Sequence, residues 1–532
     1  MDQVLLVLAT VLGDFLQFVG GPDQAVSLIG IFEKLCCTED VVVRNSASVS
    51  ITKILGLISP NKVDIFHAYY EMYQRLCNED GEVFYGRMSA SLISADIYRL
   101  APAAERAAVL EIYGKLVTDE MSMVRKAAGQ VIIKLTQSVT VEATNADLSN
   151  LMKQMLADEH ASVKCLAFEN LGVFCVQMKR LNLSQTGMLE LAKVFHIGTE
   201  DPSWKIRHAL AKSCKLYPTA FAASILTSDI FPGVITLAQD PEPDVRISAL
   251  DGLALYLPHV GLGVFSNETA ALCAHLLDDP VPGVRKALAD ACADMAVELG
   301  KTEEAPVYAA DAIVRLIQDE DPMVRLRVLK NLGKITRELP SLCQQRLTVH
   351  LVKMFKDGNW RVRKEIGHAM SLVIPDMGYE YFKENFLGEF LPLLKDDVDE
   401  VRSELATSLS VIAHTVPEAI FVEVFLPSIR QIVQEEYLKR LCILNSLSGL
   451  LYSQDYSEPF RAEVLQLIAK YAKDTVPNVR LKVAQLLGKC REAAPDSAEI
   501  KKKVHDILND LCTDKDKDVK YFAEIAQKQC RW

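Results

Sequence analysis

The sequence predicts an all-α fold made of one tandem array of antiparallel helix pairs. Three observations carry that expectation. A short acidic stretch followed within a few residues by Val-Arg or a close variant recurs along the whole chain. Apolar residues on either side of that stretch follow helical spacing. No segment alternates apolar and polar residues in the manner of a half-buried strand, which excludes a propeller of similar period.

The recurrence is clearest in "DDPVPGVRKAL" (278–288), "DEDPMVRLRV" (319–328), "DGNWRVRKEI" (357–366) and "DTVPNVRLKV" (474–483). The base that follows each acidic stretch stands at Arg44, Arg87, Arg125, Lys164, Arg207, Arg246, Arg285, Arg325, Arg363, Arg402, Arg440, Arg480 and Lys520. Successive members are 38 to 43 residues apart, with a mean of about 39.7. A period near 40 with two helices per unit is that of HEAT and armadillo arrays. The array therefore runs over 1–532 as a single solenoid.

One unit shows how the local sequence makes the pair. In residues 309–339, Ile313 and Ile317 lie on one helical stretch and Val324, Val328, Leu332 and Ile335 on a second, with "DEDP" between them. Asp321 is placed to cap the second helix, and Pro322 fits its first position, where a missing N–H is harmless. The acidic cluster suits the positive end of that helix. Glycine and proline in "VGGPDQ" (19–24) and "LPHVGLG" (257–263) mark turns between units.

The invariably basic position needs its own reason. A merely exposed residue on a solvated face would not be restricted to Arg or Lys thirteen times. The expectation is a ladder, in which the acid of one turn meets the base of its neighbour along one edge of the stack and holds the repeats in register. With helices 8 to 10 Å apart, about fourteen layers would extend on the order of 130 Å. A surface of that length suits several protein partners.

Composition narrows the function. The 532 residues are 50% hydrophobic and contain only 25 Gly and 21 Pro, with no linker-like tract. A net charge of −12 argues against nucleic acid, which selects a basic stripe. The apolar run "VLLVLATVLG" (4–13) lacks the basic start and small-residue end of a secretory leader, and no run reaches the ~18 residues of a membrane span. Thirteen scattered cysteines without a C-x-x-C pair suggest neither a disulfide framework nor a zinc site. The ten histidines are dispersed, and no metalloprotease, phosphate-loop or nucleophile-elbow motif is present. The expectation is a non-enzymatic intracellular chain without cofactor or metal, cytoplasmic and also nuclear, that binds proteins and neither nucleic acid nor membrane.

Variation between units points to where. Three residues before the ladder base stands Pro at 243, 282, 322 and 477, but an aromatic at Phe84, Trp204, Trp360 and Tyr437. Proline there starts a helix; an aromatic either folds back on its own repeat or anchors a partner. Trp204 and Trp360 are the favoured anchors.

These irregular stretches carry a resemblance. "LQFVGGPDQAVSLI" (16–29), "TDEMSMVRKAA" (118–128), "EDPSWKIRHALA" (200–211), "DGNWRVRKEIG" (357–367), "EEYLKRLCILNSL" (435–447) and "DKDVKYFAEIAQ" (516–527) resemble, in order and spacing, the scaffolding (A) subunit family of protein phosphatase 2A. The resemblance implies a right-handed α-solenoid of about fourteen HEAT repeats curved into a horseshoe. It implies a phosphatase catalytic subunit on the intra-repeat loops of 341–532 and an exchangeable regulatory B-type subunit on those of 1–340. Residue by residue, it places Trp360, Arg361, Tyr437 and Asn478 on the catalytic-subunit side. Met123, Arg125, Trp204 and Lys205 fall on the regulatory side. Catalytic metals would belong to the partner. Two departures stand out. Met1 falls inside what matches the second of the family's fifteen repeats, which would expose apolar residues near Leu5, Leu6 and Leu8. Ser122 and Lys126 occupy positions where the family has Pro and Arg, and Lys does not replace Arg at a bidentate contact. The competing reading of the same array is a karyopherin-type transport receptor.

Overall fold

A computed structural model describes residues 2–78, 84–139, 145–300, 307–431, 436–452, 456–489 and 497–530. Among the described residues the regular elements are all helical, with no strand. The chain falls into two compact units, 1–272 and 273–532.

In the first unit, second helices of successive pairs pack side by side: Val41–Leu57, Tyr85–Leu100, Ser122–Ser138, Ala161–Arg180 and Trp204–Ser213. Helix Asp2–Val11 packs on Val41–Leu57 in the same manner. The second unit repeats the arrangement with Pro282–Gly300, Pro322–Lys330, Trp360–Met377, Asp399–Thr415, Tyr437–Tyr452, Pro477–Gly488 and Lys517–Gln529. First helices such as Arg106–Val117 and Glu458–Tyr471 lie against them. Each layer therefore buries apolar surface against its own partner helix and against the next layer.

The local reading of the sequence holds in detail. Ile313, Ile317, Val324, Val328, Leu332 and Ile335 are all buried. Asp321 accepts a hydrogen bond from the Met323 N–H at 2.6 Å, and Pro322 is the first residue of its helix. Gly20, Gly21 and Gly261 take positive φ of 109°, 81° and 83°, so both glycine-marked turns use a conformation other residues resist. Near the N-terminus, Leu5, Leu6 and Leu8 are half-buried; the exposed apolar side chains are Val4, Val7 and Val11.

Two features depart from simple helix pairs. Several first helices widen into π-helical turns, at Leu226–Ile230, Cys343–Leu347 and Phe421–Phe425. Two of these precede Pro232 and Pro427, whose rings clash with the carbonyl four residues back in a regular α-helix. At the third, Thr348 Oγ1 donates to the Cys343 carbonyl at 2.8 Å inside the widened turn. The second departure concerns sulfur. Among the described residues eleven cysteines are free, seven of them buried, but Cys530 is disulfide-bonded, where the scattered spacing suggested no such pairing.

Candidate protein-docking edge

The recurrent base builds the edge of each unit. Arg325 Nε lies 2.8 Å from Asp357 of the next loop, and its Nη2 donates to the same carboxylate at 2.9 Å. Its Nη1 donates back to the carbonyls of Asp319 and Glu320, at 2.7 and 3.1 Å. One side chain thus closes its own loop and grips the neighbouring one. In the first unit the pairs are Arg87–Asp119, Arg125–Asp158, Lys164–Asp201 and Arg207–Asp240. In the second they are Arg285–Asp319, Arg325–Asp357, Arg363–Asp396, Arg440–Asp474 and Arg480–Asp514.

The acid in the pair is not the capping acid. Asp319 meets Arg285, whereas Asp321, two residues on, caps the helix. The ladder carboxylate also accepts a backbone N–H two residues later, as Asp357 does from Asn359 at 2.9 Å. These bonds set its charge. Asp514 is held below the usual carboxylate range chiefly by the bonds from Arg480. Burial alone would raise Asp158, but Arg125 and the His160 N–H together pull it down. Arg44 departs from the pattern: its guanidinium lies 4.4 Å over the ring of Tyr85. The positions that would answer Arg44 and Arg402 at this register are Gly81 and Gln434, which are not acids, and Arg402 pairs instead with Asp399 of its own helix at 2.9 Å.

Just before the ladder base, at least one of the first two residues is exposed in most second helices; Tyr85–Leu100 and Pro282–Gly300 are exceptions. This is where the sequence placed its candidates. In the second unit, Trp360 begins helix Trp360–Met377 and is half-buried, with the Arg361 guanidinium 4.5 Å over its ring. Tyr437 begins Tyr437–Tyr452 and is 39% exposed; Asn478 is the exposed second residue of Pro477–Gly488. In the first unit Met123 is 49% exposed and Trp204 37%, with Lys205 exposed beside it. The Trp204 ring centroid is 6.2 Å from that of His208, which burial and Lys212 hold below its ordinary pKa and so keep uncharged.

Arg125 stands apart from the other seven. It is buried, and its guanidinium is occupied by Asp158 at 2.7 and 2.9 Å and by the carbonyls of Asp119 and Glu120. Its place is within the ladder, beneath the outward edge. Of the two explanations for aromatics at this register, Phe84 follows the inward one, half-buried with its ring 4.9 Å from that of Tyr85. Trp204 and Tyr437 remain partly open.

The same register exposes residues that the sequence reading passed over: Val41, Val42, Met323 and Leu438, at 48%, 52%, 40% and 46%. They were findable, because each stands two or three residues before a ladder base. Exposed aliphatic side chains at a helix start have no capping role, so this edge is apolar beyond what folding needs. Among the described residues no group of three or more His, Cys, Asp or Glu could hold a metal ion, and no helix is long and apolar enough to cross a membrane.

Comparison with known proteins agrees with this architecture. Residues 269–371 match the family model of HEAT repeats. The chain is 28% identical over 211 residues to the regulatory (A) subunit of protein phosphatase PP2A of Schizosaccharomyces pombe, covering 40% of this chain and 35% of the relative. It is 35% identical over 143 residues to the alpha isoform of the 65 kDa regulatory (A) subunit of protein phosphatase 2A from Arabidopsis thaliana, covering 27% and 23%. The matched segments thus span about a third or less of the curated relatives' length. Among solved structures, Kap95p in a study of its binding to RanGDP aligns with a TM-score of 0.59 at 11% identity, over 99% of this chain and 74% of that one. Kap121p bound to RanGTP aligns with a TM-score of 0.58 at 13% identity, over 94% and 57%. At such identities the likeness to these transport receptors is one of fold.

Proposed function

Since the chain is an array of HEAT repeats, we propose that it is a non-catalytic scaffold of a protein phosphatase 2A-type holoenzyme. It holds the catalytic subunit on the loop edge of residues 341–532 and a regulatory B-type subunit on that of 1–340. The observation that carries this reading is the coincidence of two independent features. The sequence similarity is to regulatory (A) subunits, and Trp360, Arg361, Tyr437 and Asn478, which the resemblance assigns to the catalytic-subunit side, stand at helix starts on the loop edge of one unit.

The mechanism needs no reactive group from this chain. Binding a phosphatase and a targeting subunit on one frame turns the encounter of enzyme and substrate into a local event, and the effective concentration rises accordingly. The ladder supplies what such a frame requires: loops fixed relative to their neighbours before a partner arrives, so that less ordering entropy is lost on binding. Partly exposed aromatic side chains supply the anchors. The transport-receptor reading has the solved folds in its favour at 11% and 13% identity, whereas the regulatory (A) subunits are similar in sequence at 28% and 35%.

Calorimetry of the full chain with a recombinant phosphatase 2A catalytic subunit tests the proposal. Wild type is expected to bind, and the double substitution Trp360→Ala, Arg361→Ala to weaken binding by about 2 kcal/mol, the size of an interface hot spot. Absence of binding by the wild type would overturn it.

A further inference from the structure

The outward edge of the second unit carries an ordered series of chemistries. Met323, Arg361, Glu400, Leu438 and Asn478 are the second residues of five successive ladder helices. Two of them are charged, opposite in sign and one repeat apart.

Arg361 is the harder to explain from its own helix. A cation in the first turn opposes the positive end of the helix dipole. Its neighbour Arg363 is paired with Asp396, yet Arg361 is exposed and has no carboxylate within ion-pair distance among the described residues. Its guanidinium instead lies over the Trp360 ring, 4.5 Å from its centroid. A stacked guanidinium is preorganised and keeps its N–H donors free at the edge, the arrangement that receives a planar carboxylate.

Glu400, on the next helix, is exposed with no base in reach among the described residues. The acid beside it is already engaged: Asp399 accepts from Arg402 at 2.9 Å and from Cys442 Sγ at 3.0 Å. Met323 before Arg361 and Leu438 after Glu400 are 40% and 46% exposed.

We propose that this edge recognises its partner by charge order. The occupant is a folded protein surface bearing a carboxylate against Arg361 and a lysine or arginine against Glu400, with apolar side chains meeting Met323 and Leu438. The inference rests on the scaffold reading, in which that occupant is the phosphatase catalytic subunit. Order matters because a partner displaced by one repeat would set its carboxylate against Glu400, so that opposite charges at successive positions fix the docking register as well as the affinity.

The test measures binding of the recombinant phosphatase 2A catalytic subunit to the full chain at 50 and 300 mM NaCl. The variants are Arg361→Glu, Glu400→Lys and the milder Glu400→Gln. At low salt each reversal is expected to weaken binding at least tenfold, Glu400→Gln by less, and the deficits to shrink at high salt. Arg361→Glu improves the charge at its helix terminus, and an unchanged circular dichroism melt separates its loss of binding from loss of fold. Wild-type binding with both reversals unchanged overturns the charge-order proposal and leaves the scaffold reading standing. No wild-type binding overturns the scaffold reading, and this proposal with it.

Discussion

At the residue scale the decisive group is the ladder arginine, because it is shared between two loops. Arg480 shows what it contributes. It holds Asp514 through Nε and Nη2 at 2.7 and 2.8 Å and the Asp474 carbonyl through Nη1 at 2.7 Å, with little of either charged side chain exposed. Arg480→Ala should cost about 3 kcal/mol, as removal of one member of a buried pair does, because Asp514 is left desolvated and alone. The loss should depend on pH. Asp514 titrates below its unfolded value of about 3.9, so its contribution is present above that pH and is lost as pH falls through the folded value. Urea unfolding of wild type and variant should therefore differ fully at pH 7 and converge below about pH 4; a difference that persists into acid would contradict the pairing. Lys164 illustrates the weaker alternative, reaching Asp201 through a single contact at 3.3 Å.

At the element scale, what matters is how closely successive second helices approach. Gly172 and Gly333 stand eight residues after their ladder bases, but their surroundings differ. A Cβ on Gly172 would lie 2.7 Å from the backbone carbonyl oxygen of Ser213, which cannot swing away. One on Gly333 would meet the Leu372 side chain at 3.2 Å, a flexible terminus that can yield. Alanine normally favours a helix by about 0.8 to 1 kcal/mol over glycine. Gly172→Ala should nonetheless destabilise by roughly 1 to 3 kcal/mol through overpacking, while Gly333→Ala stays near neutral. Denaturant midpoints of the two variants check this; equal effects would mean that backbone approach is not the constraint. The π-helical turns belong to the same scale. Two of the three let a first helix pass a proline, a solution that helical periodicity alone does not reveal.

At the scale of the whole molecule, stability is distributed. Each layer touches its neighbours, so a local break has no direct route to distant repeats. Arg325→Ala should raise amide hydrogen exchange in the loops around 319–323 and 357–359, which it ties together, and leave exchange near the Arg125–Asp158 pair unchanged. Exchange that rose uniformly over the chain would indicate one cooperative unit instead. The same distribution suits a scaffold: partners bind to separate stretches of edge, and each stretch is held rigid by its own rungs.

Much of this protein was legible in its sequence because the determining interactions are local. The period, the division of each unit into two helices, the cap at Asp321, and the place of Trp360, Tyr437 and Met123 at helix starts all follow from residues within a few positions of one another. The ladder was inferable in outline, since thirteen bases at one register call for a common partner. Which acid answers was decided only in three dimensions. Asp319, not the capping Asp321, meets Arg285 34 residues away, because that distance is set by how two layers pack. For the same reason Arg125, expected on the outer edge, is enclosed by its own loop and the next. The exposure of Leu438 and the stacking of Arg361 on Trp360 likewise depend on tertiary structure, which determines how much of each side chain its neighbours cover.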